Sequence, residues 1–340
     1  MAFRDVVGHR RLVSLLAQAI ARDSLTPSLI LSGPEGVGKR LIAVSIAQEL
    51  NCVDRRSTID DGRSTIQGAC GKCAACRRIA RGAHPDVMTI EPGETGSIKI
   101  EQVRAAIDRS VFRPFEGRKR VTIVEQADAL VPAAQNALLK TLEEPLPASV
   151  FVLVTSRPDV LLPTVRSRCA HLRLGRLQVS EVAMVLEQSE GYSHADALTA
   201  AAASDGSVRR ALDLEADVFA DARNDAEDLL GAAGRDPRAR LERAKDLLKG
   251  GGTASSEREH LFARLMAMTA LIRDAGLIVS GGDPGLLANL DRRQVVDSLA
   301  RALGKDRIDR IFTAVARAEE ALDRNVSPKV VADWLAINVH

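Results

Sequence analysis

Gly33-Pro34-Glu35-Gly36-Val37-Gly38-Lys39-Arg40 is the stretch that decides the fold. It has the spacing of a phosphate-binding loop, G-x-x-x-x-G-K-[ST], in all but its last position. Leu29-Ile30-Leu31 precedes it as a short buried strand, and Leu41 to Leu50 follows with helical spacing. Strand, loop and helix in that order are the context the motif requires. In a working loop, backbone N–H groups cradle the phosphates, Lys neutralises them, and a Ser or Thr hydroxyl holds magnesium. Gly33, Gly36, Gly38 and Lys39 supply the first two functions, whereas Arg40 places a cation where the metal's ligand belongs.

The second nucleotide motif calls for an apolar strand ending in Asp-Glu. Here the strand Val121 to Val124 runs into Glu125-Gln126-Ala127-Asp128. Glu125 is a longer carboxylate that can still approach a metal, but Gln126 cannot accept a proton from an attacking water. Loss of a positioned base forfeits roughly a hundred- to ten-thousand-fold in rate. Two defects in one reaction imply a site relieved of hydrolysis, with ATP or ADP binding still open to it. An ion pair between Arg40 and Glu125, standing in for magnesium, would keep such a loop electrostatically balanced. The bland reading is a glycine-rich turn that binds nothing.

Working outward, Val87 to Ile90, Val121 to Val124, Phe151 to Val154 and Leu172 to Leu174 are further short apolar runs separated by helical or polar segments. With Leu29 to Leu31 they make five strands alternating with helices, which implies an α/β domain with a five-stranded parallel sheet ending near residue 175. From Ser180 the strand signals stop. A compact helical group closes around Gly206 to Leu212, with Ser207 as N-cap. Beyond residue 216 the helices lengthen, with breaks at Gly250-Gly251-Gly252 and Gly281-Gly282-Asp283-Pro284.

The 340 residues, 46% of them hydrophobic, allow two or three domains with real cores. Lys and Arg number 47 against 45 Asp and Glu, so a net charge of +2 supplies no general field for nucleic acid. At 3%, aromatics are too few for a base-stacking platform. No apolar run reaches the length of a membrane span, and Met1-Ala2-Phe3-Arg4-Asp5 opens no signal peptide, so a cytoplasmic protein is expected. The basic run Arg113, Arg118, Lys119 and Arg120, without aromatics beside it, reads as a solvated turn before a strand.

Cys70-Gly71-Lys72-Cys73-Ala74-Ala75-Cys76 places three thiols at spacing three, and Cys52 lies upstream at the end of the helix after the loop. Four such thiols make a closed tetrahedral zinc site of the structural kind. The intervening Asp54 to Gly68 is too polar to fold by burial, and a structural zinc supplies on the order of 10 kcal/mol of folding free energy. Cys169, far off in sequence, is left out.

Ser167-Arg168-Cys169, with Ala134-Gln135-Asn136-Ala137-Leu138-Leu139-Lys140-Thr141-Leu142-Glu143-Glu144-Pro145 before it and the cysteine knuckle between the nucleotide motifs, resembles the AAA+ clamp-loader family of bacterial DNA polymerase III. Phe3-Arg4-Asp5-Val6-Val7-Gly8-His9 is similar to the family's adenine-side motif, and His84-Pro85-Asp86 fits the same alignment. The resemblance covers residues 1 to about 215; beyond them only the helical character and Asn325 to Lys329 are similar. It implies an AAA+ P-loop domain with an inserted zinc module (1–175), a helical lid (176–215) and an all-α collar (216–340). It further implies that Arg168 is an arginine finger reaching a neighbour's ATP, that Thr155 lies at the sensor-1 position, and that Arg209 lies at sensor-2. Within the family, motor (gamma/tau) subunits have intact nucleotide motifs, and Arg40, Glu125 and Gln126 depart from them toward the non-hydrolysing, stator type. The implied partners are gamma/tau and delta subunits in a hetero-oligomeric ring and, through them, the sliding clamp and primer–template DNA. Two rival readings are the gamma/tau motor itself and an unrelated P-loop kinase or ATPase with a zinc knuckle.

Overall fold

The computed structural model describes residues 2–54, 57–60, 65–188, 192–213, 216–231, 245, 247–248, 254–283 and 287–339. They divide into two compact units, Met1–Leu177 and Gln178–His340. The expected breaks at Gly250 to Gly252 and at Pro284, and the lid–collar boundary at 214–215, lie outside the described residues.

In the first unit, α1 (Arg10–Ala21) precedes β1 (Ser28–Ser32) and α2 (Lys39–Asn51). A two-stranded antiparallel hairpin of β2 (Ser57–Asp60) and β3 (Thr65–Gly68) follows, then α3 (Ala74–Ala80). Then come β4 (Val87–Ile90), α4 (Ile100–Ser110), β5 (Arg120–Val124), α5 (Pro132–Glu143), β6 (Ser149–Thr155), α6 (Pro163–Arg166) and β7 (Ala170–Arg173). The main sheet has the order β4-β5-β6-β1-β7, and every pairing in it is parallel. Four of the five apolar runs lie within its strands, and the fifth overlaps β7, which is shifted to Ala170–Arg173 and leaves Leu174 beyond it.

Strands buried on both faces read as continuous apolar runs because successive side chains alternate between two covered surfaces. On one face Leu29, Leu31, Val121, Ile123 and Val152 pack with Val13 and Leu16 of α1 and Ile42 and Ile46 of α2. On the other, Ile30, Val124, Phe151 and Leu153 pack with Val103 and Ala106 of α4 and Leu138 and Leu142 of α5. The sheet therefore holds the ends of β1, β5 and β6 rigid, and the nucleotide motifs begin at those ends.

The second unit is helical: α7 (Val179–Glu187), α8 (His194–Ala203), α9 (Val208–Leu212), α10 (Ala216–Gly231), α11 (Ala254–Val279), α12 (Arg293–Asp323) and α13 (Pro328–Asn338). Ser207 caps α9 as expected, its hydroxyl accepting from the Arg210 N–H. Helix α8 packs on α7 and α9 and also against α10 and α11, so the helices of the expected lid and collar share one compact unit. Helix α12 kinks at Gly304, whose φ of 66° is open to glycine without strain. Two buried charges among the described residues of this unit are paired, although Arg223 Nε itself has no hydrogen-bond partner. Asp274 accepts from the backbone N–H groups of Ala288 and Asn289, and Arg223 donates to Asn289 and Asp291. Among the described residues no helix is long and apolar enough to cross a membrane.

Candidate functional site

The phosphate loop sits between β1 and α2 with Gly33, Gly36 and Gly38 all at positive φ. A Cβ at Gly33 would lie 2.3 Å from the Leu174 carbonyl oxygen, so only glycine fits there. Lys39 is 9% exposed, and its ammonium donates to the carbonyls of Gly33 at 2.7 Å and Pro34 at 2.5 Å. Burial lowers the Lys39 pKa, opposed by the nearby Glu35 and Asp128 carboxylates. His9 Nε2 lies 3.1 Å from the Val37 carbonyl and ties the amino-terminal segment to the loop.

Arg40 pairs with Glu125: Nε to Oε1 is 2.9 Å, and Nη2 lies 3.4 Å from Glu91 Oε1. The expected ion pair is present, extended to a second carboxylate. No N–H of Arg40 is aligned on Glu125 Oε1, so the contact is one of charge rather than a directed hydrogen bond. Burial raises the Glu125 pKa; Arg40 opposes this and Glu91 adds to it. Gln126 is exposed in a left-handed conformation, φ 48°.

Thr155, at the end of β6, has its hydroxyl committed. It donates to Asp128 Oδ1 at 2.7 Å and accepts the Arg157 N–H at 3.0 Å, while Arg157 Nε and Nη2 both donate to Asp128 Oδ2. Burial alone would raise the Asp128 pKa, but the Thr155 and Arg157 bonds outweigh it and hold the group below its ordinary value. Asp128 and Arg157 had no role in the sequence reading, although both lie within the motifs. Arg209 lies on α9 in the second unit, exposed and 3.9 Å from Asp213 Oδ2.

Cys52, Cys70, Cys73 and Cys76 bring their sulfurs within 4.8 Å of one another, positioned to bind a metal ion. A tetrahedral zinc with Zn–S of about 2.3 Å separates its sulfurs by about 3.8 Å. Cys52 Sγ lies 3.6 Å from Cys70 Sγ and 3.9 Å from Cys73 Sγ. Backbone N–H groups point at the sulfurs: Cys70 N–H donates to Cys52, Cys73 N–H to Cys70 and Cys76 N–H to Cys73. Burial would raise Cys73, but the Cys76 N–H and neighbouring donors pull it down to about 6. Burial raises Cys52, and burial with the adjacent thiols raises Cys76. A bound cation would relieve that crowding. The knuckle is anchored by α2: Glu49 accepts the Ala69 N–H on both carboxylate oxygens and Gln48 donates to the Cys76 carbonyl. Cys169 packs instead against the core, its thiol pushed up to about 12 by burial.

Arg168 follows α6. Its Nε donates to Glu143 Oε1 at 2.7 Å, its Nη2 also contacts that oxygen, and its Nη1 donates to the Thr164 carbonyl at 2.9 Å. The basic run is not a solvated turn. Arg118 donates to the carbonyls of Leu50, Glu49 and Cys52, satisfying the carboxyl end of α2. Arg120 pairs with the buried Asp86 at 3.2 Å, and Asp86 accepts the N–H groups of Phe115, Glu116 and Gly117.

This parallel sheet, with a phosphate loop between β1 and α2 and a second acidic strand end at β5, defines a P-loop α/β domain, followed by a helical region. The family model described as "DNA polymerase III, delta subunit" matches residues 8–178, and the chain belongs to this family of DNA polymerase III clamp-loader subunits. It is 38% identical over 157 residues to DNA polymerase III subunit delta' of Pseudomonas aeruginosa, a match covering 46% of this chain and 45% of that protein. It is 33% identical over 217 residues to subunit tau of Escherichia coli, covering 62% of this chain and 32% of that one. The matches thus span less than half of each of these two relatives. Among solved structures, the Thermotoga maritima RuvB Holliday junction branch migration motor is 19% identical with a TM-score of 0.43, covering 89% of this chain and 84% of that one. The Bacillus subtilis clamp loader delta protein is 13% identical with a TM-score of 0.33, covering 96% and 98%.

Proposed function

We propose that the chain is a delta prime-type subunit of the DNA polymerase III clamp loader, a stator that does not hydrolyse ATP itself. The observation that carries this is Arg40 seated against Glu125 and Glu91 on the metal side of the loop, with Gln126 in the base position. A guanidinium there repels a divalent cation and occupies its carboxylates, and an amide cannot take a proton from water. Gly33, Gly36, Gly38 and Lys39 remain able to hold ATP or ADP without turnover. Arg168 acts in trans on a motor subunit's ATP, a contribution worth roughly a thousand- to a hundred-thousand-fold in phosphoryl transfer. Thr155 and Arg209 keep the sensor positions in a site that does not fire. Cys52, Cys70, Cys73 and Cys76 hold a zinc that supplies folding free energy and no chemistry. The partners are gamma/tau and delta subunits in a ring that loads the sliding clamp onto primed DNA, with residues 176–215 as lid and 216–340 as collar.

One observation favours the rival motor: tau relatives match a longer stretch of the chain than the delta' relative. Steady-state ATPase of the purified chain, with and without clamp and primed DNA, separates the two. The stator reading expects no turnover alone and clamp- and DNA-stimulated turnover when motor and delta subunits are added, lost with Arg168→Ala. Turnover by the isolated chain that vanishes with Lys39→Ala would establish the motor.

A further inference from the structure

An arginine that acts on a neighbour has to be aimed before the neighbour arrives. We infer that α5 grips the segment leading to Arg168 at two points and that Glu143 is the positioning residue for its guanidinium. The inference rests on the finger reading of Arg168 given above. At one end of α5 the buried Gln135 donates to the Leu130 carbonyl and accepts the Leu162 N–H at 2.7 Å, which fixes where α6 starts. Leu161 and Val165, on either side of that start, are almost fully buried in the same core as Leu138 and Leu142 of α5. The backbone beneath Arg168 is therefore set by packing.

At the other end, Glu143 closes α5. It takes the Nε side of the guanidinium, while the Thr164 carbonyl takes Nη1 and Ser167 Oγ lies 3.4 Å from Nη1. A guanidinium carries five N–H donors. These four contacts leave one N–H, on Nη2, for a phosphate. The negative end of the α5 dipole lies beside the same cation and favours it there. Arg168 is 32% exposed at its side chain, so it is reachable yet held. A long arginine loses much rotamer freedom when it acts. Prior ordering of that side chain is worth roughly three- to tenfold in the rate of the step it serves.

The test uses the reconstituted complex of motor, delta and this subunit with clamp and primed DNA. Glu143→Ala is expected to lower kcat roughly three- to tenfold with KM for ATP unchanged. Glu143→Gln, which keeps an acceptor for Nε, is expected to recover part of that loss. Unchanged or increased kcat in Glu143→Ala would overturn the inference, since a carboxylate that merely parks the guanidinium slows the reaction. Arg168→Ala run in parallel tests the finger reading itself: full activity there defeats that reading and not the positioning. The positioning is then decided on the free subunit by the 15N resonance of Arg168 Nε. It should be resolved and exchange-protected in the native chain and merge with the solvent-exposed arginines in Glu143→Ala. A merged Arg168 resonance in the native chain defeats the inference outright. A thermal midpoint common to all three variants and the native chain shows that the rates report positioning rather than unfolding, and a lowered midpoint in Glu143→Ala counts against it.

Discussion

Replacing Asp86 by Asn tests whether one buried carboxylate holds the loop before β5. The Asp86 side chain is fully buried; Oδ1 takes the Phe115 N–H at 2.7 Å and faces Arg120 Nη2 at 3.2 Å. Oδ2 takes the N–H groups of Glu116 at 2.9 Å and Gly117 at 2.8 Å. An amide has only one oxygen, so either orientation turns its NH2 against two donors. Hydrogen bonds to a charged group contribute about 1.5–3 kcal/mol each, so two lost bonds cost about 3–6 kcal/mol. Arg120, 13% exposed at its side chain, also loses its counter-charge. With a urea slope of about 2 kcal/mol/M, the midpoint should fall by about 2 M. The assay is far-UV circular dichroism of the whole chain at pH 7.5; Trp334, the single tryptophan, sits in the second unit, so its emission reports that unit separately. The pH dependence has a definite sign. Burial would raise the Asp86 pKa, but the Glu116, Phe115 and Gly117 N–H groups and Arg120 more than offset it, and the folded pKa is lowered. Stability from a depressed carboxyl is fully present above the unfolded value near 3.9 and is lost as pH falls through the folded value. The gap between native and Asp86→Asn chains should therefore narrow below about pH 4. A midpoint shift under about 0.5 M, or a gap that persists in acid, would refute the anchor.

Two further outcomes are expected. Stripping the metal with a strong chelator should release about one zinc per chain, expose four reactive thiols while Cys169 stays protected, and lower the first thermal transition by roughly 10 °C or more. Protein isolated under reducing conditions without metal and just as stable would contradict a structural zinc. Arg40→Ala should destabilise the chain at neutral pH by at most about 1 kcal/mol, because Arg40 is 65% exposed. The Glu125 pKa is raised by burial, so its charged form opposes folding above the ordinary carboxyl range. The Arg40→Ala penalty should therefore vanish below about pH 4 and disappear in a Glu125→Gln background, and a pH-independent penalty would mean that packing, not charge, is lost.

Elements whose burial is two-sided were legible in the sequence, and those buried on one side or not at all were less so. Leu29-Ile30-Leu31 and Phe151-Val152-Leu153-Val154 announce central strands because both faces are covered by helices. The edge strand β7 spans Ala170–Arg173 rather than Leu172 to Leu174, since an edge needs fewer apolar residues and Leu174 packs beyond it over Gly33. The β2–β3 hairpin gave no signal: its strands are four residues each, with Ile59 and Ile66 set singly among polar residues and glycine. In the second unit Ala-rich helices repeat one periodicity, and nothing in it marks which of them pack into one body.

Motifs revealed which residues carry chemistry, whereas the partners that occupy those residues were hidden in long separations. Arg118 was misread because a run of charges usually means a solvated turn, yet the carboxyl end of α2 offers carbonyls that need donors 66 to 69 residues away. Asp86 serves a loop about 30 residues on, and Glu143 serves Arg168 across 25. The Arg40–Glu125 pair was legible because both residues sit at places the motif itself dictates: the first turn of α2 and the end of β5, where the sheet converges on the loop. When a metal's hydroxyl ligand becomes a cation while its carboxylate persists, opposite charges are left facing one another across the vacated position. Their attraction is the physical reason that such a loop can stay electrostatically balanced without a metal ion.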